Sequence, residues 1–477
     1  MKFALFIVKA IAQYKYHKKK NPISDVRSKS STYKRIRIQV KKILSFIYSI
    51  IIIQKVIITL KYILHIVVSY FQILLHKFAI NLSKINYIQL LLAAYNIYLN
   101  NEGVIVKSAK LRRISKYSVL SYVYDSSTIH KVCIPEFYNH TNQKIIDVTK
   151  NEASIMQINN IRVIGESNVI RANDDRYLLN EIYFDTNKRA DLRYGALFGL
   201  YNSRAYFYVS NNSISVDNGI YLLNPGNYNL YHLVFETLSR LVQIDTIEKY
   251  KTYPLLIDEC VKNIPNLYDY FKRANSNNHK VIWVKKNQSV FVSHLVIATG
   301  AEWMPGNIRY GKRIKVDDFA VSEKTIWDLR NKMMCEDLKP ASYKKIFISR
   351  KNMKSSRLNN EGEISKQFAK AGYKIIQPEK YTVSQQISLF MGADCIVGSS
   401  GGAFTNILFC KPGTIISCII PEEHQFFMYS TIAYCLQLNP IFLKGSIIKK
   451  TEYPSNDRYS VNKKDINSFI EYVNTVK

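Results

Sequence analysis

The chain has 477 residues, is 47% apolar and 13% aromatic, and carries a formal net charge of +31. That length exceeds one ordinary core and points to two or three domains, and the apolar content excludes a disordered chain. Seven cysteines, an odd number without a Cys-x-x-Cys, argue against a disulfide framework or a zinc site and fit small buried thiols in a reducing compartment.

The charge is not spread evenly. Residues 1–101 hold 17 Lys and Arg but one acid, Asp25, for a local net of +16. An AT-rich genome would enrich Lys, Ile and Asn, but it would favour Glu as well, so a segment almost free of acids needs another cause. Its apolar run, 43–75, is broken by Lys55 and Lys61. The part from 56 to 75 is long enough to span a bilayer, with one lysine held inside at a cost. A helical segment lying in the interface fits better, and a helical partner-binding region is the other alternative. Residues 1–101 are therefore expected to form a basic, amphipathic helical extension that associates with an anionic membrane surface. The first apolar run, Phe3–Val8, is too short for a signal peptide. No nucleic-acid partner is expected, because the basic residues are continuous with aliphatic runs rather than interleaved with stacking aromatics.

From 103 to 218 short alternating runs such as 131–134, 160–164, 178–184 and 204–209 are separated by Asn, Asp and Ser clusters, which predicts a β-rich region with hairpins. From 219 to 335 strands (219–223, 253–257, 280–284) alternate with helices (231–247, 321–336), with a Pro-Gly loop at Met304-Pro305-Gly306. From 336 to 477 the alternation repeats. Strands are expected at 345–348, 374–376, 395–397, 414–420 and 440–443, and helices at 362–371, 384–391, 402–409, 426–436 and 464–476. Buried β-branched strands alternating with amphipathic helices imply parallel sheets. The expected fold is α/β, with two Rossmann-like halves (219–335 and 336–477) facing a cleft and ligands at the C-terminal strand ends.

Three stretches could carry chemistry. On a helix, His232, Glu236 and Arg240 fall at i, i+4 and i+8. Glu236 can fix the tautomer of His232, and Arg240 can keep Glu236 ionised, which makes His232 a candidate general base. The plain alternative is a surface ion-pair ladder. Second, Arg350 follows a strand directly and Arg357 follows soon after. Arginine forks bind phosphate oxygens, although Lys351 and Lys354 nearby also fit a solvated basic loop. Third, the strand 395–397 runs into Gly398-Ser399-Ser400-Gly401-Gly402, and a helix starts at once. Free N–H groups and a helix N-terminus make a phosphate site.

The same turn fits Gly-x-Ser-x-Gly, the nucleophile elbow of α/β-hydrolases. A hydrolase triad would then need an acid and a histidine further on. The one later histidine, His424, directly follows the only intervening acids, Glu422 and Glu423, so the triad cannot form. No Walker lysine, Gly-x-Gly-x-x-Gly, Asp-x-Asp or His-Glu-x-x-His occurs, so neither a cofactor nor a metal site is expected.

In this order, the three stretches resemble the glycosyltransferase family 61 (DUF563) domain, of bacterial capsular-polysaccharide type. Asn227, Tyr228, Tyr231, His232, Glu236, Arg240 and Leu241 are similar to its Asn-Tyr-Tyr-His-Trp helix opening and the Glu-x-x-Pro-Arg-Leu that continues it, with Leu230 as one extra residue and Ser239 where Pro is common. Ser349, Arg350, Arg357, Asn360 and Glu361 resemble its Ser-Arg and Arg-x-x-Asn-Glu. Gln386, Ile387 and Phe390 resemble Gln-Ile-x-x-Phe, and Gly398, Gly401, Thr405 and Asn406 resemble Gly-x-His-Gly-Ala-x-x-Thr-Asn. Ser400 stands where the family usually has His.

The resemblance implies a GT-B-like fold and an inverting, metal-independent transferase. With the basic segment 1–101, which lies outside the resemblance, such an enzyme is expected at the cytoplasmic face of the cell membrane, held peripherally or monotopically. It takes a sugar from a nucleotide sugar to a glycan or lipid-linked acceptor in surface-polysaccharide assembly. Catalysis falls to His232 and Glu236. Donor binding falls to Arg350, Arg357, Asn360, Glu361, Gly398, Ser399, Ser400, Gly401, Gly402, Thr405 and Asn406. The rival is a non-catalytic, membrane-associated scaffold that keeps the fold, motivated by Ser400.

Overall fold

The computed structural model describes residues 104–475 apart from 113, 140–142, 173–176, 180–196, 202–203, 211, 300–301, 304–314, 317–318, 335–336, 352–355, 422–426 and 452–455. The N-terminal segment 1–101, the loop at 304–306 and His424 lie outside the described residues. Among the described residues no helix is long and apolar enough to cross a membrane.

The fold is mixed α/β. One sheet holds eleven strands and joins the β-rich region to the first strand–helix alternation. At one end of it four strands run parallel, from the edge inward, in the spatial order Val281–Val284, Leu255–Asp258, Ser213–Leu222, Ser289–Thr299. Ala153–Ile164 then pairs antiparallel with Ser289–Thr299 over ten register positions. The strand Ser213–Leu222 runs across residue 218, so the hairpin region and the first alternation share one sheet.

The second sheet is parallel through Lys374–Ile376, Lys345–Ile348, Cys395–Ser399, Ile415–Pro421 and Asn439–Lys449. The short strand Glu136–Phe137 adds to it from the β-rich region. Its strands are apolar on both faces, as expected of a sheet covered by helices on each side. Two of the helices start on sequence-encoded caps. Thr382 and Gln385 form a capping box on Val383–Gly392, and Ser322 caps Glu323–Met333.

One core cluster runs from Leu222, Leu233 and Phe235 through Leu329 to Ile348, Phe404 and Ile407, and so packs the helices between the two sheets. Smaller clusters cover the outer face of each sheet. In both sheets the strand order reverses between two parallel neighbours. The reversal falls between Ser213–Leu222 and Ser289–Thr299 in the first, and between Lys345–Ile348 and Cys395–Ser399 in the second. Loops leaving the C-terminal ends of such a pair part in opposite directions and leave a crevice where ligands bind.

Candidate active site

The first crevice is entered by the loop 223–231, which leaves the strand ending at Leu222 and feeds the His232 helix. The helix opens as a π-helix, His232–Leu238, and continues as an α-helix, Ser239–Ile244. π-turns interrupting a helix are frequent at functional sites. The Asn229 side chain accepts from the Tyr231 N–H at 3.0 Å and starts the helix. Gly226 lies directly under the His232 ring. A Cβ there would come within 2.7 Å of His232 Cγ, so no larger residue fits while the ring holds its position.

His232 Nδ1 lies 2.5 Å from Glu236 Oε1, and the Asn224 amide donates to Glu236 Oε2 at 2.7 Å. The two side chains keep 28% and 21% of their surface exposed, so the pair is sheltered yet reachable. Burial pushes the Glu236 carboxyl up. The His232 charge and hydrogen bond, the Asn224 bond and the Arg240 charge together outweigh it and hold the group below the usual carboxylate range. An imidazole whose Nδ1–H faces a carboxylate carries its lone pair on Nε2, the arrangement of a general base.

The expected ladder is not complete. Arg240 does not bond Glu236. It donates to the Leu223 carbonyl at 3.4 Å and lies 5.7 Å over the Tyr221 ring. The π-turns change the rotation per residue, so the i+8 neighbour no longer stacks under i and i+4. Asn224 takes the position that the spacing assigned to arginine.

The second crevice holds the arginines and the glycine turn. Lys345–Ile348 ends at Ser349-Arg350, beside the strand that ends at Ser399. The Arg350 guanidinium donates to the Ser400 carbonyl and lies flat against Gly401, where a Cβ would come within 1.6 Å of its Nη1. Any larger residue at 401 would push the guanidinium out of this position. Gly402 opens a 3-10 helix, Gly402–Phe409, rather than an α-helix. Its first N–H groups still lack intrahelical partners. Eight residues is long for a 3-10 run.

Arg357 lies next to Arg350. Its Nε is buried and has no hydrogen-bond partner among the described residues. Burial, and then the charge of Arg350, push its pKa down. Two guanidinium groups therefore repel one another here. Glu361, the nearest carboxylate in sequence, is used elsewhere: it accepts from Ser349 Oγ at 2.7 Å, Arg350 N at 2.6 Å and Ser356 Oγ at 3.2 Å. It clamps the arginine segment through the backbone and hydroxyls rather than facing a ligand.

Other expected donor residues also turn inward. Asn360 pairs with the Val461 backbone in both directions, at 2.9 and 3.2 Å. Asn406 is fully buried between Gln386 and the Tyr270 hydroxyl. Thr405 is buried as well, and so are Ser399 and Ser400. The Ser400 hydroxyl faces the Cys418 thiol, and burial raises the pKa of that thiol. Gly398 packs against Ile348, where a Cβ would meet the carbonyl at 2.8 Å. Arg350 and Arg357 lie together beside the Gly401–Gly402 turn.

The two crevices touch. A Cβ on Gly402 would lie 3.4 Å from Asn229 Oδ1 and 3.8 Å from Leu230 Cβ. The Tyr231 ring packs edge-on against Tyr429 at 5.8 Å, and the Tyr429 hydroxyl donates to the Gly401 carbonyl at 2.7 Å. Sequence reasoning missed Asn224 and Asp258, which brace the His232 loop, and Tyr429. An acid closing a parallel strand, as Asp258 does, was a usable signal. Tyr429 had none, because its partners are remote in sequence. Among the described residues no group of three His, Cys, Asp or Glu side chains is arranged to hold a metal ion.

Residues 230–417 match the family model described as Glycosyltransferase 61. The match runs from the start of the His232 helix through the arginines and the glycine turn to the strand beyond. It covers less than half of the chain. It supports a family 61 assignment and glycosyltransferase activity for this segment, and it specifies neither donor nor sugar. No curated protein matches the chain.

Proposed function

We propose that this chain is an inverting, metal-independent glycosyltransferase. It moves a hexosyl or pentosyl group from a nucleotide sugar to a glycan or lipid-linked acceptor in surface-polysaccharide assembly of the bacterial capsular kind. The observation that carries this reading is the Arg350–Arg357 pair. Two crowded guanidinium groups, one with a buried Nε lacking an acceptor, sit beside an uncapped helix start. A diphosphate would relieve the repulsion and accept from the N–H groups.

Transfer proceeds by single displacement. His232 takes the proton of the acceptor hydroxyl, with Glu236 stabilising the imidazolium. The acceptor oxygen attacks the anomeric carbon from the face opposite the diphosphate, and the bond to the diphosphate breaks. Arg350, Arg357 and the Gly401–Gly402 N–H groups hold the charge that develops on the leaving group, a task often given to a divalent cation. The two parallel-strand units with touching crevices suit a GT-B-like layout. Residues 1–101 serve as the basic extension that keeps the enzyme peripherally or monotopically at the cytoplasmic face of the membrane, where lipid-linked acceptors lie.

A second reading draws on Ser400. Its hydroxyl is turned toward Cys418, and it cannot titrate as the histidine usual at this position would. A membrane-associated scaffold that retains the fold without chemistry would look the same there. The test is to incubate the full chain with a panel of nucleotide sugars. A donor raises the melting temperature in either case. Release of nucleoside diphosphate with inversion at the anomeric centre supports the enzyme. Protection without turnover supports the scaffold, and no protection by any donor refutes both.

A further inference from the structure

One buried carboxylate closes the loop that carries the candidate base. Asp258 ends the strand Leu255–Asp258 and is wholly inaccessible to solvent. It accepts from Glu166 N at 2.5 Å, Asn224 N at 2.8 Å and Asn227 Nδ2 at 2.7 Å. These bonds come from amide N–H groups rather than a cation. Burying a carboxylate among neutral donors is expensive, so the loop geometry it enforces is the reason to look for a role.

Both asparagines pass the restraint to the helix. Asn224 donates to Glu236 Oε2 at 2.7 Å and accepts from Gly226 N at 2.8 Å. Asn227 accepts from Thr237 Oγ1 at 2.6 Å and also donates to the Leu222 carbonyl. Two residues of the loop therefore grip consecutive helix residues, Glu236 and Thr237. Glu236 in turn holds His232 Nδ1 at 2.5 Å.

We propose that Asp258, acting through Asn224, is a positioning residue that fixes the Glu236 carboxylate and with it the tautomer and orientation of His232. This deepens the role of His232 given above and rests on it. Other charged or titratable groups also bear on the relay: Arg240 on Glu236, and Glu166 and Cys260 around Asp258. Burial, helped by the charge of Glu166, raises the Asp258 carboxyl to about 7 against the lowering effect of its amide bonds. Protonation would set an O–H against the Glu166 N–H on Oδ1, or against the Asn224 and Asn227 donors on Oδ2, and loosen the loop.

The test is an NMR titration of the full chain labelled with ¹³C-histidine, with His232→Gln used to assign the signal. Asp258→Asn and Asn224→Ala are each expected to lower the His232 midpoint by about half a pH unit or more, and to lower kcat about tenfold with donor KM unchanged. Thr237→Val releases the Asn227 grip but not the Asn224 bond, and should leave the midpoint in place. Asn224→Ala carries the test if Asp258→Asn does not fold. An unchanged His232 midpoint in folded Asn224→Ala overturns the relay. Because the titration needs no donor, a shifted midpoint supports the relay even if the wild-type chain proves unable to transfer sugar.

Discussion

Arg357 offers the sharpest test of the anion site. A guanidinium cannot be neutralised at ordinary pH, so the resting protein bears its desolvation and the repulsion from Arg350 together. Arg357→Met removes the charge but keeps the length of the apolar stem. If the crowding exists to receive a diphosphate, the variant should be more stable without ligand and bind donor worse. The gain should be on the order of 1 kcal/mol, in line with other replacements at strained functional positions. In a chain of this size that is roughly 1–2 °C in melting temperature. The lost charge-assisted hydrogen bond is worth about 1.5–3 kcal/mol, or roughly a 10- to 150-fold rise in the Kd for the donor. Differential scanning fluorimetry reads the first quantity. Calorimetry, with the donor that protects the wild type best and with inorganic pyrophosphate, reads the second. A structural arginine would do the opposite: Arg357→Met would melt earlier and bind as tightly as the wild type. That pair of results refutes the anion site.

Four other outcomes are expected. His232→Ala should bind donor nearly normally yet transfer about 10²–10⁴-fold more slowly, with Glu236→Gln milder. Full turnover in the folded histidine variant would remove it from the mechanism. Gly401→Ala should displace the Arg350 guanidinium and weaken donor binding about tenfold, whereas unchanged affinity in calorimetry would show that the arginine acts from another position. The full chain should float with anionic vesicles, less so in high salt, and a chain of 103–477 should not. Flotation of the shortened chain would contradict the assignment of 1–101. His279 places Nε2 2.8 Å from Asp245 and Nδ1 2.9 Å from the Tyr253 carbonyl, with Lys332 on the other Asp245 oxygen. Burial lowers its pKa, but the Asp245 and Tyr253 bonds raise it to a net value above the ordinary one. Its stabilising contribution is thus complete below about pH 6.5 and lost as pH rises through the higher folded value. The melting-temperature gap between wild type and His279→Gln should narrow in that direction, and a gap independent of pH would refute the pairing.

The strands of the second sheet were legible because both faces are buried. Lys345–Ile348 and Ile415–Pro421 fall where continuous β-branched runs put them. Ser289–Thr299 was passed over although it is central in the first sheet. Ser293 and His294 interrupt its apolar run, and His294 bonds Asn159 on the antiparallel partner, a pairing between residues far apart in the chain. The site was legible where chemistry is local. The His232–Glu236 spacing survives the π-turns, and Arg350 lies where a residue just after a strand must lie. It was illegible where side chains spend their bonds at long range. Asn360, Glu361 and Asn406 are turned to Val461, the Ser349–Ser356 segment and Tyr270, and a motif does not say which way its polar groups face.

Topology explains why the charge and the base meet. The parallel strands of each sheet reverse their order once, and each reversal opens a crevice at their C-terminal ends. One crevice releases the loop to His232 and the other sets Arg350 against Gly401. The join between them is short and mostly apolar, made by Asn229 and Leu230 on Gly402 and by Tyr231 on Tyr429. Tyr429 also bonds the Gly401 carbonyl, so the position of the glycine turn is set partly by the element that packs on the histidine helix. A shift of either loop would therefore be felt by the other. For displacement chemistry that coupling matters, because base and leaving group must act on opposite sides of one carbon, and small misplacements are costly in rate.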